Sequence, residues 1–315
     1  MTKNLVIGFT GTIASGKTVR CHRLLQIAIR HQLDALDATP PGVGTWQLSR
    51  EEAVQLASSD VACDTPLTAC QARYLPLLRN STLRVGYLNA DLLGHTVYLP
   101  GTLCYDQLIR HFGEAILTRG AAQSRDDDHS PSSANDNLRK TRNATPSGPE
   151  AGSFSAPLID RRVLGRIVFA DRSQLSALNT ICRPHLVEAF RTRHHAFVGA
   201  SAKAGKRVSL LILEAALLLE MAAMLHSCTE VWITSCSVAV ATSRLCLRNS
   251  LTDAEATQRI AAQATLTEKL KTFRRMGLAG GLRHFDTSET TLEEGLRQVD
   301  VAFEDYWRDK IKPCL

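Results

Sequence analysis

Eight consecutive residues near the start of the chain, Gly11-Thr12-Ile13-Ala14-Ser15-Gly16-Lys17-Thr18, match the pattern G-x-x-x-x-G-K-[ST] in full. The glycines let backbone N–H groups curl around phosphate oxygens. Lys17 would reach the outer phosphates, and the Thr18 hydroxyl would hold Mg²⁺. Such a cradle serves kinase, GTPase and ATPase chemistry alike. Three other residues could act on a bound phosphate. Asp91 lies just beyond an apolar run, where it could take a proton from an acceptor hydroxyl or hold a metal-bound water. It could equally cap a helix starting at Leu92. Arg244 and Arg248, four apart, share a helix face and could stabilise a transferring phosphoryl from a mobile lid, or form a solvated basic face. Arg259 could pair with Glu255 one turn earlier.

These residues need a scaffold to position them. Leu5-Val6-Ile7-Gly8-Phe9 reads as a buried strand running into the glycine loop, and Val19 to Ile29 has helical spacing. Further strands are expected at Leu83 to Leu88, Val208 to Leu213 and Glu230 to Thr234, with a weaker one at His284-Phe285. Helical patterns fall at Arg50 to Leu56, Arg161 to Phe169, Gln174 to Phe197 and Asp253 to Met276. Strands alternating with helices predict an α/β fold with a parallel sheet covered on both faces.

Two stretches break the alternation. Residues 121–156 contain only Leu138 and Phe154 as large apolar side chains, too few to offset the entropy of ordering, and disorder is expected there. Residues 31–82, opening with Thr39-Pro40-Pro41-Gly42, read as a partly ordered insertion. The length of 315 residues would allow two domains, but setting aside these two stretches of 36 and 52 residues leaves enough for one.

Composition narrows the classes. A net charge of +6 is mild over this length and suits an anionic small molecule as well as nucleic acid. Aromatic residues make up 5%, which gives no sign of base-stacking platforms, so no nucleic-acid partner is expected. The run from Leu210 to Leu225 is broken by Glu214 and Glu220 and is too short for a bilayer. Nine cysteines without C-x-x-C give no zinc signature and predict reduced thiols. The sequons at Asn80 and Asn143 follow no secretory signal, since apolar residues begin at Leu5 and lead straight to Gly11. Lys312-Pro313-Cys314-Leu315 is neither a peroxisomal address nor a prenylation box. A cytoplasmic location is expected.

A GTPase reading has two short matches, Asp91-Leu92-Leu93-Gly94 and Ser201-Ala202-Lys203, but no N-K-x-D, and the second match precedes a strand instead of following the last one.

Taken in order, the blocks of this sequence resemble the dephospho-coenzyme A kinase family of P-loop kinases. They are Gly8 to Thr18, Asn89-Ala90-Asp91-Leu92-Leu93-Gly94-His95 with Tyr98, Pro100 and Gly101, His111-Phe112-Gly113, and Ile159-Asp160-Arg161-Arg162. Then come Leu217-Leu218-Leu219-Glu220, Arg244-Leu245 with Arg248, and Arg259-Ile260-Ala261-Ala262-Gln263. The resemblance implies a P-loop NTPase-type three-layer sandwich with a five-stranded parallel sheet, a helical lid and a helical substrate region. It implies one kinase domain over 1–315, with ATP and Mg²⁺, and transfer of the γ-phosphoryl to the ribose 3′-hydroxyl of dephospho-coenzyme A. It makes Asp91 the base, Arg244 and Arg248 lid residues near ATP, and Arg161 and His95 substrate contacts. Four places depart from the family pattern. Asn89 stands where the family has Asp, Arg183-Pro184 where it has His-Pro, and Ala216 where it has Pro. The last block survives only around Phe285-Asp286-Thr287.

Overall fold

A computed structural model describes residues 1–36, 48–58, 67–118, 156–277 and 281–315. The expectation of disorder over 121–156 and the Thr39-Pro40-Pro41-Gly42 turn lie outside the described residues, apart from Ala156. The elements, in chain order, are β1 (Lys3–Gly11), α1 (Lys17–Asp34), α2 (Arg50–Ser58), α3 (Ala69–Asn80), β2 (Leu83–Asn89), α4 (Ala90–Thr96) and α5 (Leu103–Phe112). They continue with α6 (Arg161–Ala170), α7 (Arg172–Lys203), β3 (Val208–Glu214), α8 (Ala222–Leu225) and β4 (Glu230–Ser235). The last are α9 (Val238–Asn249), α10 (Asp253–Ala261), α11 (Leu266–Arg275), β5 (Gly281–Asp286) and α12 (Leu292–Tyr306).

The five strands form one sheet in the order β2-β3-β1-β4-β5, and every pairing is parallel. Alternation along the strands explains the layering. Leu5, Ile7 and Phe9 of β1, with Leu210 and Ile212 of β3, join a core under α1, α2, α3 and α12. Val6, Leu211 and Leu213 point the other way, into a second core with Phe190 of α7 and Met224 of α8. Both faces of the sheet are covered, giving the three-layer α/β sandwich of the P-loop NTPase type. A third cluster, including Cys104, Leu108, Leu164 and Val168, holds α5 and α6 against α7.

All five expected strands form. The helical pattern from Asp253 to Met276 is two helices instead of one. Thr265 opens the second with a capping box, its hydroxyl accepting from Glu268 N–H while the Glu268 carboxylate accepts from Thr265 N–H. The helix α1 runs past His31 to Asp34, and α3, not anticipated within 31–82, starts from the capping box of Thr68 and Gln71. Cap chemistry decides these boundaries more sharply than apolar spacing does.

Candidate active site

The strand β1 sits at the centre of the sheet, so its carboxyl end opens between β3 and β4. The octapeptide loop follows there. Gly11 has no room for a side chain, since a Cβ would collide with the Thr234 hydroxyl of β4. Gly16, the N-cap of α1, has φ 74°, a left-handed conformation that glycine adopts without strain. Ala14 is also left-handed, at φ 56°, so the loop holds strained backbone where ligand phosphates would lie. Ser15 locks the turn by donating to Thr12 O and sharing a hydrogen bond with Thr234 Oγ1, each 2.7 Å.

Lys17 and Thr18, the first residues of α1, reach across to the ends of the two strands on one side. Lys17 Nζ lies 2.6 Å from Asp91 Oδ2 and 3.4 Å from Glu214 Oε1. The Thr18 hydroxyl donates to Glu214 Oε1 at 2.6 Å. Glu214, the last residue of β3, is fully buried. Its other oxygen accepts from the Tyr87 phenol at 2.5 Å and from Asn89 Nδ2 at 3.4 Å. Burial, with the nearby Cys21 and the charge on Glu214, pushes the Tyr87 phenol well above its ordinary value, so it stays a donor to that carboxylate.

Glu214 was not among the expected site residues. Its signal in the sequence was an apolar β-run, Val208 to Leu213, ending in a carboxylate; only the sheet order, with β3 beside β1, shows that this end abuts the loop.

Asp91 does not cap the helix after it. That role falls to Asn89, whose side chain accepts from Leu92 N–H at 3.0 Å. Asp91 is thereby free, and its Oδ1 accepts from the Ala216 N–H at 3.1 Å while Oδ2 takes Lys17. One turn along α4, His95 Nδ1 receives Arg161 Nη1 at 2.9 Å. Burial first, then the positive charge of Arg161, lowers the His95 pKa, and Asp91 partly offsets this. The neutral ring thus accepts from the guanidinium. Asp91, His95 and Arg161 form one connected edge beside the loop.

The two arginines expected in a lid, Arg244 and Arg248, separate. Arg244 reaches the loop, donating to Ala14 O at 3.1 Å and to Thr287 Oγ1 and O at 3.0 and 2.9 Å. Arg248 is exposed and donates to its neighbour Asn249. Thr287 is fully buried and also donates to Ser15 O, so the segment after β5 packs onto the loop. The tripeptide Ser201-Ala202-Lys203 ends α7, just ahead of β3, at the amino-terminal end of the strands and so at the end of the sheet opposite the loop.

Oxygen donors suit a hard divalent cation. The Thr18 hydroxyl and the Glu214 carboxylate, already bonded to each other, are such a pair beside the phosphate loop. Among the described residues no cluster of three or more His, Cys, Asp or Glu side chains could hold a metal without help from a ligand.

The family model for dephospho-CoA kinase matches residues 155–275. The dephospho-CoA kinase of Carboxydothermus hydrogenoformans is 27% identical over 184 residues, 58% of this chain and 68% of that one. The chain is similar to the dephospho-CoA kinases. A dephospho-CoA kinase domain-containing protein of Danio rerio is 26% identical over 183 residues, 58% of this chain and 61% of its own length. The dephospho-CoA kinase of Trichormus variabilis is 31% identical over 144 residues, 46% and 64% of the two chains. The chain thus spans about two thirds of the length of these kinases. A crystal structure from Thermus thermophilus aligns with 96% of this chain and 98% of its own at a TM-score of 0.48 and 17% identity. The residues matched by the dephospho-CoA kinase family model include Arg161, Glu214, Arg244 and Arg248. No helix among the described residues is long and apolar enough to cross a membrane.

Proposed function

We propose that this protein is an ATP-dependent kinase that phosphorylates the ribose 3′-hydroxyl of dephospho-coenzyme A, giving coenzyme A and ADP. The observation that carries the reading is the pairing of a complete phosphate loop with a carboxylate that does not cap its helix, Asp91, 2.6 Å from the loop lysine. The loop N–H groups and Lys17 bind the β- and γ-phosphates of ATP. Thr18 and Glu214 would hold Mg²⁺, which when bound neutralises charge on the phosphate oxygens. Asp91 accepts the proton of the acceptor hydroxyl, whose oxygen attacks the γ-phosphorus as the bond to the β–γ bridging oxygen breaks and ADP leaves. Lys17 exchanges its carboxylate partners for phosphate oxygens when ATP binds, before transfer, and so frees Asp91 to act as base.

Arg161 and His95 bind the acceptor's anionic groups, and Arg244 braces the loop and neutralises the nucleotide side. Arg248 lies further out and would join only through movement of α9. The same reading takes 1–315 as one kinase domain, with insertions within 31–82 and 121–156.

The test is ADP release with dephospho-coenzyme A against a panel of nucleosides and small alcohols. Release with dephospho-coenzyme A alone is expected; ATP binding without release for any acceptor would make the protein a nucleotide-binding relative instead. Asp91→Asn is expected to keep ATP binding and to lower kcat by about 10²–10⁴. Near-normal turnover in that variant would remove Asp91 from the mechanism.

A further inference from the structure

Lys269, on α11, is only 2% exposed. A buried ammonium ordinarily rests against a carboxylate at short range. Here the carboxylate in reach, Glu220 Oε1, is 4.0 Å away, and its Oε2 accepts from Arg183 at 2.9 Å. The closest acceptor of Lys269 Nζ is Ala216 O, at 3.5 Å. Burial lowers the lysine's pKa, Glu220 offsets part of this, and the charge of Lys17 lowers it again. The amine therefore lies within electrostatic reach of the transfer site, without a close ion-pair partner of its own.

Residue 216 is where this amine meets the candidate base. The Ala216 carbonyl accepts from Thr10 Oγ1 at 3.2 Å and from Lys269, while the Ala216 N–H donates to Asp91 Oδ1 at 3.1 Å. Asp91 has a side chain 45% exposed, on a helix of seven residues. Without restraint such a side chain would sample several rotamers. Lys17 holds one oxygen, but that hold is surrendered when phosphate arrives. The Ala216 N–H is the restraint that remains.

We propose that Lys269 is a positioning residue for Asp91. It clamps the carbonyl of residue 216, so that the N–H of the same residue keeps the base aimed after Lys17 has turned to the phosphates. This rests on the reading of Asp91 as the base. It adds a role for α11, the helix that carries Lys269.

The experiment compares Lys269→Met, Asp91→Asn and the double variant in steady-state kinetics. It also follows amide exchange at Ala216 by NMR on the full-length protein. Lys269→Met should keep ATP affinity and lower kcat by about 10- to 100-fold, the loss expected from misplacing a reacting group. In the Asp91→Asn background the same substitution should cost nothing further, because there is no base left to position. The Ala216 amide should exchange faster in folded Lys269→Met. Thr10→Val, which removes the other clamp on the carbonyl, should reproduce both effects and carries the test if Lys269→Met fails to fold. Losses that multiply in the double variant would overturn the proposal, as would an Ala216 amide that exchanges at the wild-type rate. If the unmodified protein turns over no acceptor, the kinase reading fails, and amide exchange alone decides whether Lys269 holds residue 216.

Discussion

At the residue scale the site divides into what a motif announces and what only packing reveals. Lys17 and Thr18 could be named from eight letters, because glycine loops of that spacing have one well-defined use. Glu214 could not, since a glutamate ending an apolar run looks like any strand terminus until β3 is known to lie beside β1. Its burial with four donors, Thr18, Lys17, Tyr87 and Asn89, marks it as the carboxylate that organises the cradle. Glu214→Gln keeps the shape and removes the charge. It should weaken Mg²⁺ dependence or turnover by about 10- to 100-fold, read from kcat across a Mg²⁺ titration; an unchanged titration would exclude it as a ligand. His95 gives a pH prediction. Its folded pKa is depressed, by burial and then by Arg161 against the opposing pull of Asp91, so its neutral form is favoured in the fold. The bond it accepts from Arg161 is present above the ordinary imidazole value of about 6.5 and is lost as pH falls through the lower folded value. The KM for the acceptor should rise on acidification in the unmodified protein, and His95→Gln should flatten that rise.

Elements were legible where a periodicity was strong. Four strands could be read from short apolar β-rich runs, β5 only from a weaker signal at His284-Phe285, and α1 and α6 from their spacing. The reading failed where caps decide, as at Thr265, which splits one expected helix into α10 and α11, and at Asn89, which takes the capping role and releases Asp91. Both failures matter to function, since one creates the helix bearing Lys269 and the other frees the candidate base. Helices α5 and α7 carry a further consequence. Cys104 of α5 and Cys182 of α7 have Sγ atoms 3.8 Å apart. Their hydrogen bond lowers the pKa of Cys104, and the same contact with burial raises that of Cys182. Treatment with diamide should join them, seen as loss of two thiols in a denaturing titration and as a cross-linked peptide. Retention of both thiols would show that the helices do not approach closely enough in solution.

Over the whole molecule, the carboxyl ends of the strands gather Lys17 and Arg244 around the loop, with Arg161 bonded to His95 beside it, cationic groups suited to a polyphosphate. A ligand that binds only the folded state should stabilise it by about 2.7 kcal/mol at a hundredfold excess over Kd. Thermal melts with ATP and Mg²⁺ should therefore shift upward, and Lys17→Ala should abolish the shift. An equal shift in that variant would place nucleotide binding elsewhere.

The central strand has one more consequence, for how the protein is made. β1 carries the phosphate loop, yet its partners in the sheet begin at Val208 and Glu230. During synthesis the octapeptide waits for some two hundred residues before either neighbour exists. Contacts of such sequence separation form slowly. A nascent or truncated chain ending before Val208 would contain the complete motif but neither flanking strand, nor Glu214, Ala216 or Lys269. Such a fragment would display the letters of a nucleotide site with nothing to hold them in shape, and chaperone engagement of the growing chain would be expected to last until β4 has emerged.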